Sequence, residues 1–106
     1  MTIPPTFTAR TFQFACDIVF SYKALSRIPD FPREIARQVL RSGTSIGANI
    51  EEGRAASSRR DLTAKFAIGL REAREVKYWL RLIKTTRLAP EPLVADLLRE
   101  SDELIA

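Results

Sequence analysis

A chain of 106 residues, 45% of them apolar, is the length of one domain and too apolar to stay disordered. It has no histidine and a single cysteine, Cys16, which removes the commonest general base and metal ligand and rules out an internal disulfide. The net charge of +4 is uneven: Arg54–Arg87 holds ten basic and three acidic residues, whereas Glu91–Ala106 holds one basic residue, Arg99, and five acidic ones.

A chain of this size buries roughly 65% of its unfolded surface, enough for a modest core. No apolar run approaches the roughly 20 residues of a membrane span. The opening stretch, MTIPPTFTAR, lacks the charged and apolar regions of a secretion signal. A reducing, cytoplasmic compartment is expected.

The first helix is expected over 8–27. Phe14, Ala15, Ile18, Tyr22 and Leu25 recur at steps of three and four and make one apolar face. A second stripe, Phe12, Cys16, Val19 and Phe20, lies roughly opposite. A lone surface helix rarely carries two such faces. The outer stripe is therefore expected either inside the bundle or, as the favoured reading, against another subunit.

Ile28–Pro32 reads IPDFP, a turn in which Asp30 is expected to cap the next helix. That helix is expected over 32–53, with Ile35, Val39, Ile46 and Ile50 on its buried side. Ser42, Gly43, Ser45, Gly47 and Ala48 leave it nearly bare of bulk, so a neighbouring helix can approach closely. Glycines four apart also occur in membrane dimers, but Arg41, Asn49 and Glu51 argue against a membrane here. Gly53 is expected to close the helix in a left-handed conformation. Asn49 is expected as a buried amide that fixes helix register, with a ligand contact as its alternative. Glu51 and Glu52 are adjacent and point about 100° apart, so they cannot converge as an acid–base pair.

The third helix is expected over 59–86, opened by an S-x-x-D capping pair, Ser58 and Asp61. Leu62, Phe66, Gly69, Ala73, Val76, Leu80 and Ile83 alternate steps of four and three. Such a heptad seam predicts antiparallel bundle packing at crossing angles of about 20°. Arg60, Arg71, Arg74, Lys77 and Arg81 gather on one flank of the seam, Glu72 and Glu75 on the other. This separation suits charge pairing between neighbouring copies, or a basic strip open to phosphates. Tyr78 and Trp79 lie beside the strip; they could stack on bases, though aromatic residues at helix spacing usually pack. The break at RLAPEP, Arg87–Pro92, leads to a short last helix over 90–105, with Pro90 in its first turn. Leu93, Val94, Leu97, Leu98, Leu104 and Ile105 supply its buried face.

Four stretches together are recognisable: TFQFA at Thr11–Ala15, LRSGTSIGANIEEG at Leu40–Gly53, AASSRRD at Ala55–Asp61 and LREAREVKYWLRLI at Leu70–Ile83. On these residues the chain resembles the four helix bundle proteins also called 23S rRNA intervening sequence proteins. The resemblance implies an all-α, antiparallel up-and-down left-handed four-helix bundle, one domain over 1–106, assembled as a homopentameric ring. Two features depart from the family. The chain ends at Ala106, where the family's last helix usually continues into a basic tail, and IPDFP replaces a more charged linker. A related accessory protein of diversity-generating retroelements forms a similar basic pentamer and binds nucleic acid and a reverse transcriptase.

Two functions are compatible with these residues. One is a nucleic-acid-binding module without sequence preference, using Arg60, Arg71, Arg74, Lys77 and Arg81. A ring would multiply weak phosphate contacts on RNA or DNA into avidity. The other is a scaffolding homo-oligomer whose charges pair internally and whose partner is a protein. Catalysis is not expected, and neither is a metal or cofactor. No nucleophile and base converge, no metal-ligand spacing occurs, and no glycine-rich phosphate loop is present.

Overall fold

A computed structural model describes residues 2–106 and contains α1 (Pro5–Ser26), α2 (Arg33–Arg54), α3 (Arg59–Thr86) and α4 (Pro92–Ile105). There is no strand among the described residues. Each helix begins and ends within three residues of its expected bounds. The α1 helix starts early because Pro4 and Pro5 suit its entry. Pro4 is extended at φ −61°, ψ 142°, and Pro5 occupies the first turn, where no N–H is needed. Ser58 caps α3 as expected, its hydroxyl accepting from the Asp61 N–H at 3.1 Å.

Three terminal details differ from expectation. Asp30 does not cap α2. It takes a left-handed φ of 62° inside the turn, a conformation aspartate tolerates, and Pro32 stands at the cap without a side-chain bond. Gly53 does not close α2 either. No glycine has positive φ; the helix continues to Arg54 and ends at a right-handed Ala55. Gly53 is instead buried against α3, where a Cβ would lie 3.2 Å from the Lys65 Cβ. At the start of α4, Pro92 rather than Pro90 occupies the first turn.

The helices touch as a closed cycle, α1 on α2, α2 on α3, α3 on α4 and α4 on α1, and no diagonal pair brings its backbones close together. Across each neighbouring pair residue numbers rise on one helix as they fall on the next. Gly43 faces Ile18 and Gly47 faces Thr11. Lys65 pairs with Glu52, and Arg41 with Glu72. Lys84 pairs with Glu91, and Lys77 with Asp102. The body measures 46 × 21 × 19 Å.

Phe14, Ile18 and Leu25 of α1, Val39 and Ile46 of α2, Val76, Leu80 and Ile83 of α3 and Val94 of α4 form the core. Burying each of the larger side chains stabilises the fold by about 1.5–3 kcal/mol. Along the α3 seam Gly69, Ala73, Val76, Leu80 and Ile83 are buried, but Leu62 and Phe66 are only half-buried. Helix α4 has 14 residues against 28 in α3, so at about 1.5 Å per residue it covers half the length. Beyond its end Phe66 meets Phe7 of α1 instead, ring centroids 6.2 Å apart.

Buried polar groups are satisfied close to home. The hydroxyls of Thr11, Ser42 and Ser101 donate to carbonyls of their own helices, those of Thr8, Gln38 and Leu98. Asn49 behaves the same way, and the register-fixing role expected of it is not what it performs. Its Nδ2 donates to the Ser45 carbonyl at 2.8 Å, one turn back on α2. No buried side-chain polar atom among the described residues lacks a partner.

Arg10 ties α1 to α4. Its Nε and one Nη donate to the two oxygens of Glu100 at 2.8 and 2.6 Å, with Glu103 3.4 Å away. The hydrogen bonds from Arg10 hold the Glu100 carboxyl below its ordinary range, against the opposing pull of partial burial. Between the folded value and the unfolded one of about 4.3, the unfolded chain binds more protons, so stability falls as pH falls through that window. Thermal melts from pH 6 to pH 3 should show the midpoint dropping, and Glu100→Gln should flatten that drop. Parallel curves for the two proteins would remove the pair from the acid response.

Candidate nucleic-acid interface

Helix α3 carries two kinds of polar surface because α2 and α4 flank it on either side. On the α2 side, Glu72 and Glu75 both meet Arg41, the Glu72 contact at 3.0 Å. Glu75 also accepts from the Trp79 indole at 3.3 Å. On the α4 side, Lys77 meets Asp102 at 2.6 Å and Lys84 meets Glu91 at 3.7 Å. The remaining acids of α4 are also engaged: Glu100 and Glu103 by Arg10, and Asp96 by Arg99.

The face between these two flanks has no acid to answer it. Arg60, Arg71, Arg74 and Arg81 are exposed and make no ion pair among the described residues. Arg71, Arg74 and Arg81 follow at steps of three and seven and share one face, about 15 Å long at 1.5 Å per residue. Arg60 lies on the same helix, about 16 Å before Arg71. Of the five residues read from sequence as one strip, the structure keeps four together as free cations. Lys77 stands apart, turned to α4 and paired.

Arg81 also borders an open groove of about 1090 Å³ between the end of α3 and α4, where Lys84, Arg87 and Leu98 are among the lining residues. Glu91 and Asp102 also line this groove and pair with Lys84 and Lys77, which leaves Arg81 and Arg87 as its unpaired cations among the described residues. Arg41 and Arg87 are the residues that sequence reasoning missed. Arg41 matters indirectly: by holding Glu72 and Glu75, it keeps those acids from neutralising Arg71 and Arg74. Within one chain both glutamates are already held by Arg41.

A second exposed feature lies on α1. Phe12 is 63% exposed, Val19 42% and Phe20 67%, with Cys16 half-buried among them. The stripe is not buried within the bundle. No group of three or more metal-ligating side chains occurs among the described residues.

These features define an all-α four-helix bundle whose outward chemistry is an arginine strip on one helix and an apolar stripe on another. The chain belongs to the 23S rRNA-intervening sequence protein family, whose sequence model matches residues 7–106. It is similar to a protein of unknown function from the S23 ribosomal protein family of Bacteroides thetaiotaomicron VPI-5482, known from a 1.70 Å crystal structure. The two share 37% identity over 93% of this chain and 91% of that one, with a TM-score of 0.84. No curated protein matches the chain.

Proposed function

We propose that this protein is a non-enzymatic, oligomeric module that binds RNA or DNA without sequence preference through the outer face of α3. The observation that carries this reading is the set of free arginines, Arg60, Arg71, Arg74 and Arg81, on a helix whose Glu72 and Glu75, and whose facing acids Glu91 and Asp102, are engaged within the chain. A guanidinium is always charged and forms paired hydrogen bonds to phosphate, and each phosphate neutralised releases counterions. The arginines stand on an exposed helix surface, and contacts from such side chains to the phosphate backbone carry no sequence information. A gel-shift titration against single- and double-stranded probes at low and physiological salt tests the proposal. Binding that weakens steeply with salt supports it. No binding at low salt would place the scaffolding reading, with a protein partner, ahead.

The oligomer is part of the proposal. The α1 stripe of Phe12, Cys16, Val19 and Phe20 supports a contact between copies, and the family resemblance suggests a pentamer. Repeating one strip around a ring raises the effective concentration of phosphate contacts. Sedimentation should give a species several times 12.0 kDa. Phe12→Asp with Phe20→Asp should dissociate it and leave helicity largely intact, because both side chains point away from the core. A wild-type monomer at micromolar concentration would contradict the oligomer. Among the described residues no helix is long and apolar enough to cross a membrane. Cytoplasmic residence is proposed from the single cysteine.

A further inference from the structure

Tyr78 is the large apolar side chain outside α1 that stands well into solvent, 55% exposed. Its neighbour Trp79 behaves differently. Trp79 packs on the core and donates to Glu75, which Arg41 also holds. The two rings meet at 76° with centroids 5.2 Å apart, so Trp79 buttresses Tyr78 without stacking over it. Arg74 lies four residues before Tyr78 and Arg81 three after. These steps put the backbone of one free arginine on either side of Tyr78, about 6 Å before it and about 4.5 Å after it along the helix axis, on the same face.

We infer that the α3 strip takes single-stranded rather than duplex nucleic acid, with an unpaired base stacked on Tyr78 between phosphates held by Arg74 and Arg81. The inference rests on the nucleic-acid reading of the same strip. An exposed ring beside cations is what a single strand needs: the arginines follow its backbone, and stacking accepts any base because every base has a π-face. A duplex can take a helix in its groove, but its bases are paired and stacked on one another, so it offers Tyr78 base edges and no open base face to stack on. Packing explains Trp79 but not Tyr78, which contributes nothing to the core.

The test compares wild type, Tyr78→Ala and Tyr78→Phe as assembled proteins, by fluorescence anisotropy with a labelled single-stranded oligonucleotide and with its duplex. Light scattering records the mass of each variant. Tyr78→Ala should weaken single-strand binding about tenfold and leave duplex binding within about twofold. Tyr78→Phe should restore single-strand binding, because the ring is retained. Emission from Trp79, the single tryptophan, should change on addition of single strand and much less with duplex. Equal losses on both probes would overturn the inference. A change of mass in Tyr78→Ala would also overturn it, by showing that the ring is a contact between copies. If Tyr78→Ala binds like wild type while reversing Arg71 and Arg74 abolishes binding, the strip stands and the stacking falls. A wild type that binds neither probe refutes both.

Discussion

Gly47→Leu should lower the melting temperature by about ten degrees or more. A Cβ at position 47 would already sit 3.2 Å from the Thr11 carbonyl oxygen and 3.4 Å from its carbon. These are backbone atoms of α1 and cannot swing aside. Leucine adds three further carbons beyond that point, so α1 and α2 must separate. Overpacking of this kind typically costs about 1–3 kcal/mol and sometimes more. Each kcal/mol shifts the midpoint of a domain this size by about 4–8 °C. Gly47→Ala is the informative control. Its methyl is tight but not overlapping, and alanine's better helix propensity offsets the crowding, so its stability should stay within about 1 kcal/mol of wild type. Gly43→Ala should behave worse. There the new methyl would lie 2.6–2.9 Å from three carbons of Ile18, which is fully buried. Removing those carbons with Ile18→Ala should recover part of the loss, a non-additivity expected of side chains in contact. Unchanged melting in Gly47→Leu would show that the two helices do not approach closely at this position.

Arg71→Glu with Arg74→Glu should abolish nucleic-acid binding and leave the bundle folded. Neither arginine makes an ion pair among the described residues, so the fold loses no pairing partner when their charge is reversed. Surface substitutions of this kind usually change stability by no more than about 0.5 kcal/mol. Binding changes far more, since each reversal removes one attraction and adds one repulsion on every copy in the assembly. Lys77→Glu should be the opposite case. It weakens binding less, because its charge already faces Asp102, but it sets two acids together across α3 and α4. Circular dichroism and anisotropy on the same samples separate the two behaviours. Full binding by the double reversal would move the interface elsewhere on the molecule.

The helices were legible because their signals are local and repeated. The seam from Leu62 to Ile83 holds its period over six steps, and Gly69 to Ile83 are buried along it. The Ser58 cap lies three residues from its donor and needs no tertiary information. The outer stripe of α1 was equally plain, since Phe12 and Phe20 can face only one way once Phe14 and Ile18 face the core. The misread details all depend on backbone angles or on the level at which helices meet. Asp30 and Gly53 are residue types that serve either as caps or within turns and helices, and the chosen φ is set by the packing around them. Arg41 pairs with Glu72 and Glu75 because α2 and α3 pack at one particular level, and residue spacing within either helix does not set that level. Lys77 flanks the seam next to Val76 and Arg74 lies further round on the outer face, but a heptad count does not say which neighbour covers that flank. They diverge because α4 closes over one flank and brings Asp102 to Lys77 alone. Tyr78 and Trp79 are adjacent in sequence; the seam register sets Trp79 beside Leu80 and Tyr78 outward, and the fold adds the Trp79 bond to Glu75.

The measurement that bears most directly on the role of α3 is the salt dependence of binding, compared between wild type and Arg71→Ala with Arg74→Ala. Neutral substitutions remove phosphate contacts without adding repulsion. A plot of log affinity against log salt should be linear and should flatten in the variant, by roughly 0.7 for each single-strand phosphate no longer neutralised. Parallel lines of equal slope would contradict the proposal, because they would mean that these arginines meet no phosphate.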